Sequence, residues 1–525
     1  MIRRLLLILV CFSQLSCQSS PPTKATGKAK NVILMIGDGM GPQQISLLYY
    51  FLKYSKQGQK MGQAFAFERI ANNGGSFGTS ATEPDGAIVV DSACSASQLA
   101  LGKKSGSEMI GVTSAGRKEK TILEKAKQRG LSVGLVSDTR LTHATPASFA
   151  AHVSNRKKED QIAEEMLQSN ADVLLSGGAN RFVPSGFSGE LAPGFLVTSA
   201  RKDDRDLIAE AKQNNYQTVF QRSQLANLDP SKKILGLFTN HSYPNGIAMS
   251  KRKADPKNEV PSLLQLSQTA IHHLSKNNKG FFLMIEGGQI DWAGHSNDAG
   301  TMLHEMISFN ETLNWVIDWV QDNPDTLLLV TADHETGSFG FGYSVRDLKD
   351  PQPFPGTEFK DEKYQVQYNY GGYGNLDRIY QQKKSLNDLS DQIFDQTKKA
   401  TWQQVRQMIK DATSYSITKE EALAILDNSP NKQKLAWHSS LKADFIPKVT
   451  GKTDFYPSVW QSRAGLIARA IGGQQNVVFA TSGHTATPVH FYAYGAKNQL
   501  PRFKGYLNHP ELGKRLQQAL GVWDD

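Results

Sequence analysis

Three largely apolar runs, Asn31 to Ile36 (NVILMI), Phe281 to Ile285 (FFLMI) and Thr326 to Thr331 (TLLLVT), lie far apart in the chain, and each stops within two residues of a carboxylate. Runs this short suit strands buried on both faces better than helices, and strands of that kind belong to parallel sheets. Parallel strands need helical crossovers, and helix-like segments separate these runs. The expected fold is therefore α/β: a three-layer α/β/α sandwich around a large, mostly parallel central sheet, with a cap-like insertion.

The residues after each run carry the chemistry. Asn31–Ile36 leads into Gly37-Asp38-Gly39, a glycine-rich turn with an acid ahead of a helical segment. Phe281–Ile285 ends on Glu286, and Asp291 and His295 follow at i and i+4, which a helical turn sets on one face. Thr326–Thr331 delivers Asp333 and His334. Ser132–Ser137 precedes His143, Thr145 and Pro146, where Pro146 suits the first turn of a helix and Thr145 reads as its cap. Arg156 lies about three helical turns further on, where its guanidinium could clamp an oxyanion. The run Ala87–Val90, read as a strand, leads to Asp91-Ser92-Ala93, with Ser92 at a helix start where free amides favour an alkoxide and an incoming anion. Asn476–Thr481, another strand candidate, precedes His484. Singly, each of these is equally well a cap or a surface residue. Jointly they form the layout of one composite site at the carboxyl edge of an open parallel sheet.

The donor types sort by hardness. Asp291, His295 and His484 make a mixed nitrogen and oxygen set that zinc accepts, and Asp333 with His334, completed by Asp38 and the Ser92 oxygen, makes another. Asp38, Thr145 and Glu286 make an all-oxygen set suited to Mg²⁺. Two zinc ions ~4 Å apart would bracket an in-line displacement, and phosphoryl transfer gains most from that arrangement.

A chain of 525 residues can hold two or three domains, or one large domain with an insertion. From about Val345 to Tyr456 the sequence turns polar, lacks strong strand runs and reads as an insertion over the cleft. The formal net charge is +9, but basic and acidic residues are interleaved, so specific nucleic-acid binding is not expected. His304 and Glu305 do not build an HExxH motif, and their helix, Thr301 to Val320, reads as amphipathic.

Arg3 and Arg4 before the apolar run Leu5–Phe12 read as an export signal, too short to span a bilayer. Gln14-Leu15-Ser16-Cys17 resembles a bacterial lipobox, with Gln14 where Leu is usual. Residues 1–17 are thus expected to be a lipoprotein-type signal with Cys17 acylated, and 18–30 a flexible tether. The remainder, 31–525, is expected to be exported and periplasmic, anchored to the membrane where Cys17 carries lipid. Cys11 leaves with the signal, so Cys94 is left without a partner for an internal disulfide.

The segments IGDGMG, VVDSACSAS, THATPASFAAHVSNRK, FFLMIEGGQIDWAGH, VTADHETG and TSGHTATPV resemble, in order, the signature blocks of alkaline phosphatases. The resemblance implies hydrolysis of small phosphate monoesters with two Zn²⁺ and one Mg²⁺. By resemblance Ser92 is the nucleophile that forms a phosphoserine, and Arg156 binds two phosphate oxygens. One zinc would be held by Asp291, His295 and His484, the other by Asp38, Asp333, His334 and Ser92, and magnesium by Asp38, Thr145 and Glu286. The enterobacterial form has Asp and Lys where this chain has His143 and Trp292. That pair looks more like certain marine and cold-adapted relatives, and is expected to shape the magnesium side and the phosphate contact. A homodimer is compatible with this reading. The competing readings are a phosphodiesterase or sulfatase on the same scaffold, and a phosphate-binding surface lipoprotein without turnover. A phosphate-side arginine, the lack of a sulfatase maturation motif at Ser92 and a complete ligand set speak against them.

Overall fold

The computed structural model describes residues 27–394, 400–438 and 441–524. The expected signal, Cys17 and most of the tether lie outside them. The tether's end is fixed to the body: the Ala29 amide donates to the Ala519 carbonyl and the Lys30 amide to that of Asp325.

Ten strands form one sheet: β1 (Asn31–Gly37), β2 (Ser76–Ala81), β3 (Ser132–Ser137), β4 (Val173–Ser176), β5 (Tyr216–Val219), β6 (Lys233–Leu237), β7 (Phe281–Gly287), β8 (Thr326–Ala332), β9 (Val489–Gly495) and β10 (Gly505–Asn508). Their order is β10-β2-β9-β8-β1-β7-β3-β4-β6-β5. Only β9 runs antiparallel to its neighbours. Every residue of β1, β7 and β8 is buried. Side chains alternate between two core layers: Val32, Leu34 and Ile36 face one, Ile33 and Met35 the other. Each such burial contributes about 1.5–3 kcal/mol, which makes a central strand of this composition indifferent to solvent on neither face.

Register then places the site. Ile36 pairs with Glu286 on one side and Thr331 on the other, and Ser137 pairs with Glu286. The carboxyl ends of β3, β7, β1 and β8 are level, so Asp38, Glu286 and Asp333 emerge side by side.

Several expectations are corrected. Ala87–Val90 forms no strand: Ile88 is 76% exposed in a loop. Of Asn476–Thr481 only Val477–Val478 is extended, and it pairs with Gly340–Phe341 outside the main sheet. Leu386, Ile409 and Ile425 of the insertion pack with Ala464, Ile467 and Ile471 beyond it in an apolar cluster of their own, separate from the two layers of the main core. The helix read as amphipathic runs over Ala299–Asp322, and His304 and Glu305 lie on its buried face. Among the described residues no helix is long and apolar enough to cross a membrane.

Candidate active site

Ser92 opens the helix Ser92–Leu101, capped by the Asp91 carboxylate, which accepts the Ala93 amide. All ten residues of that helix are buried, and their small side chains let it seat deep behind the sheet edge. Ser92 Oγ lies 3.2 Å from His334 Nε2. Gly39 permits the close approach of the β1 turn: its φ is +71°, and a Cβ there would sit 2.7 Å from the Asp291 Cα.

Three groups of donors converge: Asp291, His295 and His484; Asp38, Asp333 and His334; and Asp38, Glu286 and His143. Within each, one ligand atom per residue lies within 4.8 Å of the others. Thr145 Oγ1 stands 3.4 Å from Asp38 Oδ2, so the expected all-oxygen set is assembled, with His143 as a neighbour. Thr145 does not cap its helix: it lies inside the turn Ala144–Ala147, and that helix stops well short of Arg156. Arg156 instead sits in a loop, its amide bonded to the Glu108 carbonyl. Its guanidinium still reaches the site, with Nη2 3.4 Å from His143 Nε2. Trp292 stands edge-on to the His143 ring at 5.6 Å.

The donor atoms are poised for cations. His484 Nδ1 bonds the Val90 carbonyl at 2.8 Å and His295 Nδ1 bonds that of Ser482, so both rings turn Nε2 toward Asp291. Those two Nε2 atoms are 3.2 Å apart. Asp38 Oδ1, Glu286 Oε1, Asp333 Oδ2 and His143 Nδ1 are buried with no hydrogen-bond partner. Burial, then Asp333, Asp291 and Glu286, raise Asp38 well above the carboxylate range, and burial with Asp291 pushes Asp333 up to about 8. Burial pushes His484 down to about 4 and holds His334 far below the usual histidine value. Against burial, His295 and His484 hold Asp291 well below the carboxylate range. Buried carboxylate oxygens without hydrogen-bond partners, beside the His334 and His484 rings that burial holds neutral, make a donor set that divalent cations fit.

The sequence profile of alkaline phosphatases matches residues 29–436. The chain belongs to the alkaline phosphatase family. Alkaline phosphatase 3 of Bacillus subtilis is 29% identical over 526 residues, covering 97% of this chain and 95% of that one. A cold-active alkaline phosphatase from a psychrophilic Shewanella species superposes with a TM-score of 0.67 at 26% identity, over 93% of this chain and 99% of the other. The alkaline phosphatase of Thermus thermophilus shares the fold with a TM-score of 0.75 at 24% identity, over 96% and 93%. As a member of this family the protein is a phosphoric monoester hydrolase working through a covalent phosphoserine, and its donor clusters are those of a divalent-metal enzyme.

The residues that hold these donors in place carry no sequence signal of their own. Asp91 pairs with Arg156, Nη1 to Oδ2 3.2 Å. Thr336 Oγ1 donates to Asp291 Oδ1 at 2.5 Å. Glu335, buried, accepts from Gln44 and Thr485 and so ties the residue after His484 to the helix Pro42–Tyr54. Asp91 and Thr336 stand inside the quoted blocks, but nothing in spacing marks a residue whose partner is another side chain. Cys94 is a free, buried thiol raised to about 12 by burial, and takes no part.

Proposed function

We propose that Ser92 is the nucleophile of this phosphatase and that the three clusters hold two zinc ions and one magnesium ion. One zinc fits Asp291, His295 and His484; the other fits Asp38, Asp333 and His334 with the Ser92 oxygen; magnesium fits Asp38, Thr145 and Glu286, with His143 alongside. When bound, these cations supply Lewis acidity, which acidifies hydroxyl and water and neutralises the departing oxygen. Ser92 Oγ attacks phosphorus; its O–P bond forms as the P–O bond to the alcohol breaks, leaving phosphoserine. Arg156, oriented by Asp91, offers paired N–H donors to two non-bridging oxygens, and His143 and Trp292 border the same side. Water then opens the phosphoserine, releasing inorganic phosphate and restoring the Ser92 hydroxyl. The observation that carries this reading is the set of buried, unpartnered donor atoms on Asp38, Glu286 and Asp333 beside Ser92.

Hydrolysis of p-nitrophenyl phosphate and of its bis-ester by the wild type tests it. The monoester is expected to turn over far faster. A preferred diester supports the phosphodiesterase reading, and tight phosphate binding without turnover supports a binding protein.

We also propose export to the periplasm, lipid attachment at Cys17 and a catalytic domain over 31–525 with its insertion at about 345–456. Arg3, Arg4, the apolar run after them and the lipobox-like tetrad support export and attachment. Mass spectrometry of the mature N-terminus tests both, and light scattering tests the homodimer.

A further inference from the structure

Two of the three cation groups draw on strands of the main sheet, whose ladders fix Asp38, Glu286 and Asp333 in place. The group of Asp291, His295 and His484 has no such support. His295 ends the seven-residue helix Gln289–His295, and His484 lies on a two-residue strand, His484–Thr485, which among the described residues pairs only with Glu335–Thr336. His295 Nδ1 bonds the Ser482 carbonyl and His484 Nδ1 that of Val90, so what remains is to hold the two short elements themselves in place.

The insertion does so. Asn297, two residues after His295, is buried at a left-handed φ of +54°. Its Nδ2 donates to the Gly294 carbonyl at 3.0 Å and to the Thr481 carbonyl at 2.8 Å, joining the helix that ends in His295 to the segment that leads to His484. Its Oδ1 accepts the Tyr456 hydroxyl at 2.8 Å. The two carbonyls orient the amide, since a reversed Asn297 would set its oxygen against both, and Tyr456 satisfies the oxygen that this orientation leaves facing the insertion. Phe455, the neighbour of Tyr456, offers its carbonyl to the Ser482 amide at 3.1 Å and the Thr481 hydroxyl at 2.9 Å. On the other flank Asn387 donates to Ser296 Oγ, and Gln382 Nε2 and the Leu386 amide donate to Asp298. Gly465 leaves the room: a Cβ there would meet the Tyr456 ring at 2.7 Å.

We infer that Tyr456 is a positioning residue for the cation held by Asp291, His295 and His484, and that the insertion, through Tyr456 and Asn297, sets the affinity of that site separately from the other two. The inference rests on the ligand assignment proposed above. Partners bonded directly to metal ligands change metal affinity about ten- to a hundredfold, and that range bounds the effect that Tyr456 exerts through Asn297. Here the effect is confined to one cation, because Asp38, Glu286, Asp333 and Thr145 make no bond to residues of the insertion among the described residues.

The test uses the full-length, metal-loaded protein and a chromogenic zinc chelator. In Tyr456→Phe one of the two zinc ions is expected to leave about ten- to a hundredfold faster, with the other zinc and the magnesium unchanged. The melting temperature of the metal-free variant should match that of metal-free wild type, and excess zinc should restore kcat. Asn387→Ala, which removes only the bond to Ser296, should shift the same zinc in the same direction by less. Release of both zinc ions at wild-type rates overturns the inference. So does a parallel loss of all three cations together with a lower metal-free melting temperature, the signature of a merely structural tyrosine. His295→Ala tests the ligand assignment by itself: it must lack one zinc outright, and a full complement in that variant defeats the assignment.

Discussion

Asp91 pairs with Arg156 at 3.2 Å and at the same time caps the helix that Ser92 begins, so the proposed phosphate clamp and the proposed nucleophile are referenced to one carboxylate. Asp91→Asn keeps a capping oxygen, since Asn and Asp cap helices about equally, and removes the charge. KM for a monoester and Ki for inorganic phosphate are expected to rise about tenfold, consistent with loss of one partly buried charge-assisted contact, at unchanged melting temperature. Initial-rate kinetics with phosphate as inhibitor check this, and an unaltered Ki contradicts it.

The Thr336 hydroxyl fixes one oxygen of Asp291. Thr336→Val keeps the shape and removes the donor, and the affinity of this proposed zinc site is expected to fall at least about tenfold. Titration of the metal-free protein with zinc reads this directly; wild-type affinity would show that the hydroxyl does not hold the ligand.

Gly39 combines a left-handed backbone with contact against Asp291. Gly39→Ala is expected to cost about 2 kcal/mol or more, since the conformation alone costs a substituted residue about 1–3 kcal/mol. It should also impair zinc retention, because Asp291 is what the new methyl meets. Urea unfolding together with metal analysis checks both.

Without cations the site makes stability depend on pH. Asp333 titrates at about 8 in the folded protein and Asp38 is raised as well, whereas in the unfolded chain both titrate at about 4. The folded state therefore keeps protons that the unfolded chain has released, and stability falls as pH rises from about 4 to about 8. His484, lowered to about 4, works the other way, but only below its unfolded value of about 6.5. Between pH 6.5 and 8 that opposition is gone. Chelator-treated protein should lose melting temperature across this window, and zinc with magnesium should abolish the loss. A stability that rises with pH in the metal-free protein would contradict the charge arrangement.

Where the sequence was legible, burial on both faces was the reason. NVILMI, FFLMI and TLLLVT could be little other than central strands, and their ends fixed Asp38, Glu286 and Asp333. β2 and β10, rich in glycine, serine and exposed positions, carry too little apolar signal to be seen. The opposite error came from Ala87–Val90, whose apolar residues lie between the turn at Gly86 and the Asp91 cap with no strand edge to join, leaving Ile88 and Val89 in solvent. His484 and Arg156 are singled out by the strand and the helix expected to carry them, and among the described residues neither element forms: Asn476–Thr481 is extended only at Val477–Val478, and the helix Ala144–Ala147 stops short of Arg156. Loops held by side-chain bonds, such as Asp91 to Arg156, leave no periodic trace.

The central claim is that Ser92 takes the phosphoryl group. Metal-loaded enzyme mixed with a monoester at mildly acidic pH and quenched in acid should yield, by mass spectrometry, a peptide phosphorylated at Ser92, and Ser92→Ala should lose turnover while keeping its fold. An unmodified Ser92 peptide during turnover, or a near-wild-type rate in Ser92→Ala, would contradict it.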